Sequence, residues 1–135
     1  MTVRPLVLVA DDDPDILDLV SLTLERDGYD VVQACNGEEA LRIASERTLH
    51  LAVLDLMMPG LDGYEVTRRL REEDPDRVLP ILVLSAFAED KQAARALATG
   101  ADAYIRKPFS PRELLARAGS LVLAHRPRSR LAAQD

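Results

Sequence analysis

The sequence has no tryptophan, a single cysteine and, anywhere along its 135 residues, no apolar run long enough to cross a bilayer. Each shortage excludes something. A lone thiol, Cys35, cannot close an internal disulfide, and a cytoplasmic home is the simplest expectation. No histidine lies near Cys35 in sequence, so it reads as a small core residue or the residue leading into a helix, not as a nucleophile. The opening stretch, MTVRPLVLVADDD, has no extended apolar region and runs into acid, which gives no secretion signal. Positive charge is also short: the formal net charge is −6, which argues against a nucleic-acid clamp. The end of the chain differs. In HRPRSRLAAQD, Arg126, Arg128 and Arg130 reverse the local sign without apolar periodicity. Residues 125–135 therefore read as a basic tail or linker stub after one domain of residues 1–124.

Two periods alternate in that domain. Short β-rich runs fall at 6–10, 31–34, 51–54, 81–84 and 103–105, and a helical pattern follows each. Asp13 caps the first helix, with Pro14 at its first position, Ile16, Val20 and Leu24 along one face and Gly28 at its end. Asn36 with Glu39, and Asp62 with Glu65, form capping boxes. Leu41 and Ala44 follow the first box; Val66 and Leu70 follow the second, before a stop ahead of Pro75. Glu89 or Asp90 opens the fourth helix, with Ala93, Ala94 and Leu97 on its face and Gly100 closing it. Ser110, Pro111 and Glu113 open the fifth, with Leu114, Leu115, Ala118 and Val122 inward. Five β-then-α units without internal repeat predict an α/β fold, a doubly wound parallel sheet covered on both faces. The pattern leaves the strand order open.

Ligands of such sheets bind beyond the carboxyl ends of the strands. Asp11, Asp12 and Asp13 follow the first strand, Asp55 the third, Ser85 the fourth and Lys107 the fifth. Asp13 is equally well explained as a cap. In the order 2-1-3-4-5, the first and third strands are neighbours and Asp12 and Asp55 face each other across the switch point. Repulsion between such acids is relieved by a hard divalent cation; magnesium wants about six oxygens and takes one or two carboxylates plus phosphate. Carboxylates, a hydroxyl and a lysine are the parts needed to hold a phosphoryl group. Asp55 is the candidate nucleophile, able to form an acyl phosphate.

The motifs LVLVADDDPDI, LAVLDLMMPGLDGYE, ILVLSA and GADAYIRKPFSPREL stand in the order and spacing of response-regulator receiver domains of two-component signalling, and the chain resembles that family over about residues 4–124. The resemblance implies a five-stranded (βα)5, flavodoxin-like fold with order 2-1-3-4-5. By position it implies Asp11 and Asp12 as the acidic pair, Asp12 being the direct ligand of Mg2+. It further implies Asp55 as phospho-acceptor, Met57 contacting the metal through its backbone carbonyl, and Ser85 and Lys107 pairing with the phosphoryl group. Tyr104 matches the aromatic switch residue, and Pro108 follows a cis peptide bond. A histidine kinase or phosphotransfer protein would donate the phosphate, switching the face made by the fourth helix, fifth strand and fifth helix toward an unnamed output partner. The domain itself would bind neither nucleic acid nor membrane. Met57 and Phe87 match positions flanking the hydrolytic water, and both are bulky and apolar, which predicts a long-lived phosphorylated form. Asp102 and Arg117 fit a charge-paired, weak or phosphorylation-dependent homodimer. Ala103 and Gly119 stand where its other charges would be, which weakens that expectation.

Three competing readings carry less. A magnesium-dependent phosphohydrolase with an aspartyl-phosphate intermediate commonly has a second acid two residues after the nucleophile, where this chain has Met57. A flavin module would need a hydroxyl- or glycine-rich loop after the first strand, where ADDDPD repels phosphate. A transcription factor would carry its DNA-binding domain outside this chain, and the basic tail fits a linker as well as the end of a stand-alone regulator.

Overall fold

A computed structural model describes residues 4–86 and 90–125. Phe87 and the arginine-bearing tail from residue 126 lie outside the described residues. The elements alternate as β1 Leu6–Ala10, α1 Pro14–Arg26, β2 Asp30–Ala34, α2 Gly37–Glu46, β3 Leu51–Asp55, α3 Gly63–Glu72, β4 Ile81–Ser85, α4 Asp90–Thr99, β5 Ala103–Arg106 and α5 Pro111–Ala124. All strand pairs are parallel, in the order β2-β1-β3-β4-β5. This is the doubly wound sheet expected from the alternation, with the order implied by the resemblance.

Side chains alternate across each strand, so the sheet feeds two cores. Leu8, Leu54, Ile81 and Val83 pack with Ile43 of α2, Val66 and Leu70 of α3 and Ala96 of α4. Val7, Val53, Leu82 and Ile105 pack on the other face with Leu17, Val20 and Leu24 of α1 and Leu114 and Ala118 of α5. Double coverage explains why the inner strands are unbroken apolar runs: every residue of β3 and β4 is buried. Capping fixes the helix starts. Asp13, Asn36, Asp62 and Ser110 accept from the amides of Asp15, Glu39, Glu65 and Glu113. No helix among the described residues is long and apolar enough to cross a membrane.

Several local details differ from the expected ones. Leu17, not Ile16, is fully buried in α1, and Ala40 and Ile43 turn inward in α2 while Leu41 and Ala44 flank them. In α4, Ala96 is buried and Ala94 and Leu97 are exposed. Alanine-rich helices carry little amphipathic contrast, so spacing alone does not fix which way they are turned. Cys35 is exposed, so it belongs to the lead-in to α2 and not to the core. β3 and β4 each run one residue past their apolar stretch, which makes Asp55 and Ser85 the last residues of strands.

Candidate functional site

Register builds the site. Val9 of β1 pairs with Val53 of β3. Two residues further on, Asp11 and Asp55 emerge beside each other, on the face of the sheet that α1 and α5 cover. Asp11, Asp12 and Asp55 each offer a carboxylate oxygen, and these atoms all lie within 4.8 Å of one another. Asp11 and Asp55 are buried, at 2% and 5% exposure, while Asp12 opens to solvent. Asp13 stands apart from the cluster as the cap of α1. Lys107, just past β5, reaches across: its Nζ lies 3.0 Å from Asp11 Oδ2 and 3.4 Å from Asp55 Oδ1.

The charges are unbalanced. Burial pushes the Asp55 carboxyl up, the Asp11 charge adds to the rise and Lys107 opposes it, leaving the value at about 6. Burial works against the Lys107 ammonium, but its hydrogen bond to Asp11 and the charges of Asp55 and Asp11 outweigh this and raise its pKa. It therefore stays cationic. One ammonium among three acids leaves a deficit of positive charge on an all-oxygen, partly open donor set. That chemistry fits a hard divalent cation.

Two glycines seat the loop that carries Met57. A Cβ on Gly63 would meet the Asp55 carbonyl oxygen at 2.5 Å and Leu56 Cα at 2.8 Å. The Gly63 amide instead donates to Leu56 O at 3.0 Å. A Cβ on Gly37 would meet Leu61 O at 2.5 Å. The starts of α2 and α3 thus press directly on the chain after β3. The Met57 amide points back to Asp55 Oδ1 at 3.4 Å, while the Met57 side chain is 57% exposed. The capping boxes at Asn36 and Asp62 placed the helix starts but gave no sign of these two glycine contacts, because a close approach between distant segments leaves no local signal.

Ser85 is fully buried one residue beyond Leu84, the partner of Asp55 in the neighbouring strand. Its carbonyl accepts the Lys107 amide at 2.7 Å, which ties the end of β4 to the lysine. The Lys107–Pro108 peptide is cis. Tyr104 is half-buried on the opposite face of the sheet, against the core beneath α4, and lines a groove of about 480 Å³ with Leu97, Ile105 and Arg117.

Asp102 has a different environment from the one expected of a residue pairing two copies. Its Oδ2 accepts from Arg71 at 2.6 Å and from the Ile81 amide at 2.8 Å, and its Oδ1 faces Arg77 at 3.4 Å and His125 at 3.5 Å. The carboxylate is engaged within the chain, with a side chain only 12% exposed. Arg71 also donates to Gly100 O and Leu79 O, and makes an ion pair with Asp74. Nothing in the spacing pointed to this hub, since its partners come from separate elements.

Comparison with known proteins agrees with the geometry. The family model of the response regulator receiver domain matches residues 7–119. The alkaline phosphatase synthesis transcriptional regulatory protein PhoP of Bacillus subtilis is 46% identical over 116 residues, 86% of this chain and 48% of its own length. The DNA-binding dual master transcriptional regulator RpaA of Synechocystis is 42% identical over 118 residues, 87% of this chain and 49% of its own. The chain thus spans about half the length of the curated relatives it matches. The solved receiver domain of Francisella response regulator 1452 is 36% identical, with a TM-score of 0.84 over 90% of this chain and 98% of that one. An acid cluster and a lysine on one edge of a 2-1-3-4-5 sheet, and a family match spanning that sheet, lead to one conclusion: the chain belongs to the receiver-domain family of two-component response regulators.

Proposed function

We propose that the chain is a phosphorylation switch in which Asp55 accepts a phosphoryl group from a histidine kinase or phosphotransfer protein. The observation that carries this reading is the Lys107 ammonium lying between Asp11 and Asp55 inside a three-carboxylate cluster. Asp11, Asp12, Asp55 and the Met57 backbone carbonyl would hold Mg2+. When bound, the ion supplies charge neutralisation for the transferring phosphoryl oxygens.

The chain's own groups do the positioning. Asp55 Oδ1 takes the Lys107 and Met57 contacts, so Oδ2 is the attacking atom. Its lone pair forms the O–P bond as the P–N bond to the donor histidine breaks, and the electron pair leaves with the imidazole nitrogen. Lys107 stabilises charge on the phosphoryl oxygens from a fixed position beside the buried Asp55 carboxylate. The acyl phosphate then presents new acceptor oxygens, to which the Ser85 hydroxyl turns. Tyr104 follows, and the groove it shares with α4 and α5 changes shape for an output partner or domain. Phosphorylation selects among arrangements the chain already samples. The chain's chemistry is confined to its own phosphorylation and dephosphorylation.

Incubation with a small phospho-donor, with and without magnesium, tests this by intact mass. One phosphoryl adduct on the wild-type chain with magnesium, and none without it or on Asp55→Asn, is expected. An equal adduct on Asp55→Asn would overturn the assignment.

A further inference from the structure

α4 is the least anchored helix of the domain. Its one fully buried side chain is Ala96, and Leu97 is 46% exposed. Its far end is held by polar contacts: the Gly100 carbonyl accepts Arg71 at 2.8 Å and Arg77 at 3.0 Å. Its first turns meet α3 at Tyr64. The Tyr64 hydroxyl donates to Gln92 O at 3.4 Å, and the Arg95 guanidinium sits 3.9 Å over the Tyr64 ring. Tyr64 directly follows Gly63, the glycine pressed against the Asp55 carbonyl. Gly63 and Tyr64, adjacent in sequence, therefore join the end of the acceptor strand to the start of α4. A further observation marks this joint as imperfect. Gln92 Oε1 is buried without a hydrogen-bond donor among the described residues. A buried orphan acceptor penalises the arrangement that contains it.

We propose that Tyr64 is a positioning residue for the switch: its contacts to Gln92 and Arg95 hold α4 in the present arrangement against the cost of the buried, unpaired Gln92 Oε1, and the phosphorylated chain leaves that arrangement. This rests on the phospho-acceptor reading above and adds to it the residue that sets how readily the switch turns. Contacts made in only one of two arrangements weight the equilibrium toward it, and any ligand of the other arrangement binds more weakly in proportion.

The test is the affinity of the full chain for beryllofluoride, a phosphoryl mimic, at saturating magnesium, followed by the amide resonances of α4. Tyr64→Leu and Arg95→Gln should each tighten binding by roughly two- to fivefold, the range an exposed cation–π contact is worth. Tyr64→Phe keeps the ring under Arg95 and loses only the hydrogen bond to Gln92 O, so it should tighten binding less than Tyr64→Leu, by about twofold. Gln92→Leu removes the orphan acceptor and should weaken binding by a similar factor, roughly threefold or more. The opposite signs separate positioning from general loss of structure, and Arg95 is exposed, so its variant folds. Wild-type binding with unmoved variants, or variants shifting in one direction only, would overturn the role of Tyr64. A wild-type chain that binds no beryllofluoride would overturn the acceptor reading as well.

Discussion

Asp55 is buried beside another acid, and this has a measurable consequence for stability. Its carboxyl titrates near 6 in the folded chain against an ordinary 3.8. A raised acid pKa means that the folded chain binds the proton more tightly than the unfolded one. The associated penalty is absent below 3.8, grows as pH rises through the interval and is complete above about 6. At pH 7 without metal it is on the order of 2–3 kcal/mol. Asp55→Asn should therefore stabilise the metal-free chain at pH 7, and by about half as much at pH 5. Urea unfolding of both proteins at the two pH values measures this; a difference that grows on acidification would contradict it. Saturating magnesium should shrink the difference at pH 7, since the ion relieves the same repulsion. Met57 makes a kinetic prediction at the same scale. Its side chain is exposed and apolar and has no group that can hydrogen-bond an attacking water; Phe87, expected to flank the same path, lies outside the described residues. Replacing both by polar residues should speed loss of the phosphoryl group several-fold in a discharge assay, and an unchanged rate would remove them from that role.

Elements differ in how firmly they are held. α1, α2, α3 and α5 each bury at least two side chains or close backbone contacts against the sheet, whereas α4 buries Ala96. Amides of α4 should exchange with solvent faster than those of α3, because few apolar contacts oppose local opening. Hydrogen exchange resolved by residue checks this, and equal protection of the two helices would contradict it. The junction of β3 with α3 is the opposite case. Gly63→Ala drives a Cβ into the backbone of Asp55 and Leu56, which no side-chain rotation relieves. A loss of about 1–3 kcal/mol is expected, and it should be accompanied by weaker magnesium binding, since the displaced segment carries Asp55 and Met57.

Across the whole molecule, the end of the sheet opposite the acid cluster is held by ions. Asp102 joins Arg71, Arg77, His125 and the Ile81 amide, and so connects α3, the start of β4 and the end of α5. Asp102→Ala would leave the Arg71 guanidinium, 11% exposed, short of its strongest partner. A loss of about 3 kcal/mol in urea unfolding is expected for a pair this sheltered, and a change below about 0.5 kcal/mol would contradict the hub. This network was invisible in the sequence, where Asp102 looked like a surface charge available to a second copy. The sheet itself was legible, because apolar runs and capping residues repeat at the spacing that β-α units require. The acid cluster was legible too, because Asp11, Asp12, Asp55 and Lys107 each stand at or just past the end of an apolar run and a parallel sheet gathers strand ends. Helix orientation and long-range polar contacts were not, since both depend on which distant residues meet. The central claim is that Asp55 carries the phosphoryl group, and it is tested most directly by trapping the bond. Borohydride reduction of the phosphorylated chain converts an aspartyl phosphate to homoserine, which peptide mass spectrometry places. Homoserine at position 55 alone is the expected result; homoserine at 11 or 12, or an unreduced position 55 in a phosphorylated chain, would contradict the account.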